Sequence, residues 1–331
     1  MTNAWAAGFA AVFALMLLGT ALFLMVGRRK PARKRRSKKE RPLVIIRTST
    51  RIDQYRFIGA IHVGQFSEVM EAHDDIQDKS VALKYLMDPH LADPRIRKAL
   101  RHEWEVGQKL GHPNLIRFND FIEDKSVACI VMDYFESRNL KKRILVKQRA
   151  FLEEHAERIM VQVCDGLTHM HERGLVHRDV KPANLLIADD GEVRLIDFGL
   201  SQRSVKSKWR RLLPRQRMVQ GTISYMSPEQ VRGDPVDYRA DIYSLGVTFY
   251  EMIAGRAPLV GQTPSDVFNK HLTEVPNLAT AYNPRISDEM AILLKWMLEK
   301  DPDRRPRKVE AVRKRIEETP LFRVEMSSEK E

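Results

Sequence analysis

The sequence predicts an α+β fold in which a strand-rich part precedes a helix-rich part, the whole led by one transmembrane helix. Three observations predict it. Between Ala4 and Val26 no residue is charged, and 23 residues at a helical rise of about 1.5 Å reach roughly 35 Å, enough to cross a bilayer core. From Tyr55 to Met132 short β-branched and apolar runs recur, interrupted by one stretch with helical spacing. From Glu153 onward apolar residues return with the 3.6-residue period, and Gly or Pro falls between the periodic segments.

With 331 residues the chain exceeds the usual size of one compact core, which suits one large domain or a domain built from two lobes. Hydrophobic residues make up 43% and charged residues 30%, a globular balance that excludes wholesale disorder. Cys129 and Cys164 sit in apolar surroundings without a pairing or metal-ligand spacing, so they read as buried thiols of a reducing compartment. The net charge of +12 would suit a nucleic-acid binder if it were spread over the surface. It is concentrated instead: residues 28–41 hold ten Lys or Arg against Glu40 alone, and residues 200–220 hold seven with no acid. Outside these two runs the chain is slightly acidic, so no nucleic-acid partner is expected.

No charged side chain precedes the apolar run 4–26 and ten positive ones follow it. By the positive-inside rule the amino terminus then lies outside and the rest in the cytoplasm, as a single-pass protein of the cell membrane. A cleavable secretory signal would want a basic start and a shorter apolar run. The basic run 28–41 either rests on anionic head groups, where each Lys or Arg adds up to about 1 kcal/mol, or serves as a stop signal. Beyond a short linker, strands are expected around Phe57, around Val69, over Val81–Leu86, Phe118–Ile122 and Val127–Met132, with one helix over Arg95–Leu110. Further helices are expected over Glu153–Arg173, Tyr238–Ala254, Ser265–Leu272 and Ser287–Lys300, and there is no internal repeat.

The chemistry-bearing residues recur in a fixed order. His177, Arg178, Asp179, Val180, Lys181, Pro182, Ala183 and Asn184 stand together, followed thirteen residues later by Asp197, Phe198 and Gly199 after an apolar strand. Upstream lie Val81, Ala82, Leu83 and Lys84, then Glu103, nine residues before the run His112, Pro113, Asn114, Leu115. Downstream lie Gly221, Thr222 and Tyr225, then Ser227, Pro228 and Glu229, then Asp241 in the run 241–246, and last Asp301 to Pro306 with Arg305.

In this order, over residues 55–318, these motifs resemble the Hanks-type (eukaryotic-like) serine/threonine protein kinase family. The resemblance implies a two-lobed fold with ATP between a small β-rich lobe and a larger helical lobe. It covers the kinase domain expected over 55–318, which follows the anchor over 1–27 and the basic linker over 28–54 read from hydropathy and charge and precedes a tail over 319–331. Asp179 is expected to orient an acceptor hydroxyl and take its proton, and Lys181 to neutralise the transferring phosphate. A lysine two places after the aspartate resembles the serine/threonine class, so proteins with Ser or Thr acceptors are the expected substrates. Asn184 and Asp197 are expected to hold Mg²⁺, and Lys84 paired with Glu103 to hold the phosphates, with Glu105 as the rival partner. Adenine is expected between Val69 and Ala82 above and Leu186 below, against backbone from Asp133 to Phe135. Ile58, Gly64 and Phe66 complete the expected nucleotide contacts. Asp241 is expected to anchor the catalytic-loop backbone and Arg305 to pair with Glu229.

The nucleotide loop departs from the family pattern, because His62 and Ser67 stand where two of its three glycines belong and only Gly64 remains. The expected consequence is a stiffer loop. A P-loop reading of Gly59 and Gly64 fails, since Gln65 and Phe66 stand where Lys and Ser or Thr are required. Arg178 is expected to meet a phosphate on the activation segment, with Ser201, Ser204 and Ser207 as candidates and Thr222 behind them. The basic cluster there either settles on an anionic membrane or attracts acidic substrates. Two other classes compete: a scaffold with this fold but no turnover, suggested by the depleted loop, and a nucleic-acid binder, suggested by the charge. Nothing in the sequence sets an oligomeric state.

Overall fold

The computed structural model describes residues 50–204 and 223–323. The apolar run 4–26, the basic run 28–41, most of the second basic cluster, Ser207 and Thr222 lie outside the described residues.

The first part of the chain is one antiparallel sheet. Strands β1 (Arg51–Ile52), β2 (Tyr55–Val63), β3 (Ser67–Asp74), β4 (Lys79–Leu86), β5 (Phe118–Glu123) and β6 (Ala128–Asp133) lie in the order β1-β2-β3-β4-β6-β5. The alternation of the sequence assigns its two faces. Tyr55, Ala72, Val81, Leu83, Cys129 and Val131 form a small core on one side. Ala82, Leu86, Ile130 and Met132 turn to the other side and join the main core. Val69 pairs with Lys84 and Ala82 with Met132, so these four side chains share that inner face. Strand β2 loses register twice against β3, between Phe57 and Gly59 and between Ala60 and His62. Each extra residue twists the strand, and Ile58 and Ile61 are left more than half exposed.

Two helices follow β4: α1 (Asp88–Leu91) and α2 (Pro94–Gly107). Asp93 starts α2 by accepting from the Arg95 N–H, with Pro94 in the first turn, where no helical donor is needed. Its buried residues Leu100, Glu103, Val106 and Gly107 lie on the face turned to the sheet. Glu103 is the exception to an apolar stripe, a signal that it meets a partner inside.

The second part is helical. It contains β7 (Arg138–Asn139), α3 (Leu140–Leu145), α4 (Arg149–Glu172), β8 (Leu175–Val176), β9 (Leu185–Ile187), β10 (Val193–Leu195) and β11 (Gln202–Arg203). Then come α5 (Pro228–Arg232), α6 (Arg239–Ala254), α7 (Pro264–Thr273), α8 (Asp288–Met297) and α9 (Val309–Glu317). Helix α6 is buried continuously from Ala240 to Ile253, so it runs through the middle of this lobe. Its two carboxylates are both satisfied, Asp241 by the N–H groups of His177 and Arg178 and Glu251 by Lys141 (2.5 Å) and the Tyr225 hydroxyl (2.6 Å). The strand-rich and helix-rich parts thus appear as expected. Helices α1, α3, α5 and α9 were not expected, the first three because four to six residues are too short for a periodic signal.

Candidate active site

Six of the expected residues form two hydrogen-bonded sets of three, tied by the Ile196 N–H on the Asn184 carbonyl at 3.0 Å. The Lys84 ammonium donates to both Glu103 oxygens at 2.6 and 2.8 Å and to Asp197 Oδ1 at 3.2 Å. Glu105 is exposed on another face of α2. Burial by itself would depress the Lys84 ammonium, but the two carboxylates outweigh it and hold its pKa above the usual value. Chiefly through Lys84, Asp197 is pulled down to about 2 against its own burial, with a second contribution from Lys181. Asp197 sits in the left-handed region at φ 69°, and Gly199 follows because a methyl group there would come within 3.3 Å of Glu103 Oε2.

The second half of the group is the loop between β8 and β9. Lys181 donates to Asp179 Oδ2 at 2.7 Å, and the Asn184 amide donates to the Asp179 carbonyl at 2.8 Å and to Oδ2 at 3.1 Å. Asp179 is raised, first by burial and further by the nearby charge of Asp197, with Lys181 opposing. The loop backbone is fixed from below: Asp241 accepts from the N–H groups of His177 (2.8 Å) and Arg178 (2.7 Å) and lies 2.8 Å from His171 Nε2. Arg178 itself adopts φ 69°, a conformation that costs an ordinary residue roughly 1–2 kcal/mol and persists because these bonds hold it. Phe198 is fully buried against His177 and Phe118.

The remaining expected residues are placed less uniformly. Val69 and Ala82 share the inner face with Lys84, and Leu186 on β9 is partly buried. Asp133 uses its backbone N–H on the Arg117 carbonyl, and Arg194 lies 5.1 Å over the Phe135 ring. Gly64 closes a turn to the Ser67 carbonyl at 2.9 Å. Ile58 is 54% exposed, and Phe66 packs edge-on against His90.

One expectation is corrected. Ser201 was a candidate for phosphorylation, but it is fully buried, its hydroxyl donates to the His177 carbonyl at 3.3 Å, and its own carbonyl lies 2.8 Å from His102 Nε2. A kinase has no access to that oxygen in this conformation. Ser204 is partly exposed, with its N–H on the Gly174 carbonyl. Arg178 Nη1 donates to Gln202 at 2.6 Å. The tie from His102 to Ser201 and the link from Lys141 through Glu251 to Tyr225 were missed by sequence reasoning, since neither has a spacing signature.

The fold and this constellation define a protein kinase, and comparison with known families agrees: residues 55–316 match the protein kinase domain. The chain belongs to that family, whose members generally use ATP and Mg²⁺. Among curated proteins it is similar to a probable serine/threonine-protein kinase of Streptomyces coelicolor, 33% identical over 77% of this chain and 38% of that protein. It is similar to the probable serine/threonine-protein kinase PknB of Corynebacterium glutamicum, 36% identical over 68% of this chain and 35% of that protein. It is also 31% identical to the serine/threonine-protein kinase PrkC of Bacillus subtilis over 75% of this chain and 38% of that protein. The chain therefore spans little more than a third of the length of these relatives.

Proposed function

We propose that this chain is an active serine/threonine protein kinase that transfers the γ-phosphate of ATP to protein hydroxyls, and to its own, while held at the cell membrane by residues 4–26. The observation that carries the reading is that the Lys84, Glu103 and Asp197 set and the Asp179, Lys181 and Asn184 set, each held by bonds of 2.6–3.2 Å, lie near enough for Asp197 and Asp179 to feel each other's charge. That all six are present, with the two sets electrostatically coupled, favours turnover over a scaffold without it.

The donor set fits a magnesium nucleotide. Asn184 spends its amide hydrogens on Asp179, which leaves its carbonyl oxygen, and Lys84 engages only one oxygen of the Asp197 carboxylate. One carboxylate and one amide oxygen suit a hard cation that takes its other ligands from phosphate and water. Among the described residues no cluster of three or more His, Cys, Asp or Glu offers an all-protein cage, in keeping with such a cation. When bound, magnesium ATP supplies a phosphoryl group whose charge the cation shares.

The protein's own part is positioning and proton handling. Lys84, fixed by Glu103, would bind the phosphates, and Asn184 and Asp197 the cation. Asp179, whose affinity for protons is raised by burial, would accept the acceptor hydroxyl's proton, while Lys181 beside it would balance the transferring charge. Val69, Ala82 and Leu186 would enclose the base, with the backbone from Asp133 to Phe135 at its edge; Ile58, Gly64 and Phe66 would close over it from β2 and its turn. The kinase domain would cover 55–318, between the linker 28–54 and the tail 319–331.

Labelled ATP and a serine- or threonine-containing protein test the reading: label should appear on Ser or Thr and vanish with Asp179→Asn. Transfer that is equal in the Asp179→Asn chain would refute it. The anchor has its own support, the uncharged run 4–26 followed by ten basic residues. Among the described residues no helix is long and apolar enough to cross a membrane. The full chain is expected to sediment with membranes and a chain beginning at Arg47 to stay in the supernatant; equal sedimentation would remove the anchor.

A further inference from the structure

His62 stands where the family pattern has a glycine, and the sheet shows where its side chain goes. In register it faces Val69 of β3, and Val69 faces Lys84 of β4. Residues directly opposite in antiparallel strands project from the same face, so His62, Val69 and Lys84 form one row across the inner face. The bulge between Ala60 and His62 is the cause: without its extra residue His62 would pair one place further along and point outward. His62 Nε2 lies 3.9 Å from the place a β-carbon on Gly64 would take, so the ring reaches the turn Gly64–Ser67. The side chain is exposed, and among the described residues neither ring nitrogen has a hydrogen-bond partner.

Other donors on this face are already engaged. Gly64 spends its N–H on the Ser67 carbonyl at 2.9 Å. Lys84 has three ammonium hydrogens, and three carboxylate oxygens of Glu103 and Asp197 lie 2.6–3.2 Å from it. A nucleotide bringing several phosphate charges here needs a further donor, and the free imidazole stands in the same row. We propose that His62 is a nucleotide-binding residue: its ring N–H bonds an oxygen of the phosphate chain and replaces the close backbone approach that glycine would allow. The inference rests on the kinase reading above and deepens it. It reverses the expectation that the departure from glycine only stiffens the loop, because restoring glycine would then remove a bond rather than an obstacle.

The test measures equilibrium binding of ATP with Mg²⁺, and of adenosine, which carries no phosphate, to the full chain, to His62→Gly and to His62→Gln, whose amide keeps a donor of similar reach. In His62→Gly the dissociation constant for ATP should rise about ten- to hundredfold, the range of one hydrogen bond to a charged group, while that for adenosine stays within about twofold. His62→Gln should bind ATP within about threefold of the unaltered chain. ATP bound as tightly or more tightly by His62→Gly, an equal loss for adenosine, or a glutamine variant as weak as the glycine one overturns the proposal. If His62→Gly does not fold, His62→Ala carries the same comparison. Binding is read without transfer, so the two readings fail separately. A chain that binds ATP through His62 but transfers no phosphate sinks turnover alone, and one that transfers phosphate with an ATP affinity indifferent to His62 sinks this assignment alone.

Discussion

The ion pair at Lys84 and the ion pair at Arg305 have nearly the same length, 2.6 and 2.7 Å, but they sit in opposite surroundings. Arg305 is wholly buried and closed. Its guanidinium forks onto both Glu229 oxygens and gives its other hydrogens to the carbonyls of Arg239, Glu299 and Lys300. No donor remains for anything else. Lys84 faces two carboxylates with one positive charge, and the second of them, on Asp197, is 39% accessible. That arrangement is left with negative charge and open to solvent, which a cation bound to phosphate would complete. The lesson is that burial and stoichiometry, not distance, separate a pair that closes on itself from one left with unbalanced charge.

If this contrast is right, breaking each region should fail in a different way. The largest effect belongs to Asp179→Asn, which should lower the transfer rate by roughly 10²–10⁴-fold, the usual share of a general base, with little change in melting temperature. Arg305→Met should do the reverse. It leaves Glu229 buried without its partner and should reduce the unfolding free energy by about 3–5 kcal/mol, read from the denaturant midpoint.

A third effect sharpens the picture of the helical lobe. His271 is fully buried, 2.9 Å from the Tyr243 hydroxyl, and burial together with the charge of Lys300 depresses it to about 4. The neutral ring is therefore the folded form, and the unfolded chain binds the extra proton between about pH 6.5 and 4. Stability should be level above about pH 7 and fall by roughly 2–3 kcal/mol as the pH drops through that window, and His271→Gln should flatten the fall. The smallest effect is at Ser227, whose hydroxyl and N–H exchange hydrogen bonds with Gln230 at the start of α5. Ser227→Ala should reduce stability by about 1 kcal/mol, measured by thermal unfolding, without altering transfer.

Both ion pairs were legible in the sequence because their residues lie in ordered motifs, and the choice of Glu103 over Glu105 follows from which helix face is buried. What was not legible lies in contacts without spacing. Gly107 and Phe118 are eleven residues apart and touch only because β5 packs on α2; a glycine in a helix was the one available hint. Ser201 reads as a loop serine until the His102 ring is seen against its carbonyl and its N–H on the Phe198 carbonyl. The bulges of β2 likewise come from pairing with β3, which periodicity within β2 alone does not encode.

The most direct measurement is the single-turnover rate of phosphate transfer in Asp197→Asn, which keeps the side chain's size and removes the carboxylate shared by Lys84 and the expected cation. The account predicts a loss of about 10³-fold or more with a melting temperature near that of the unaltered chain. A rate within about tenfold of the unaltered chain would contradict it.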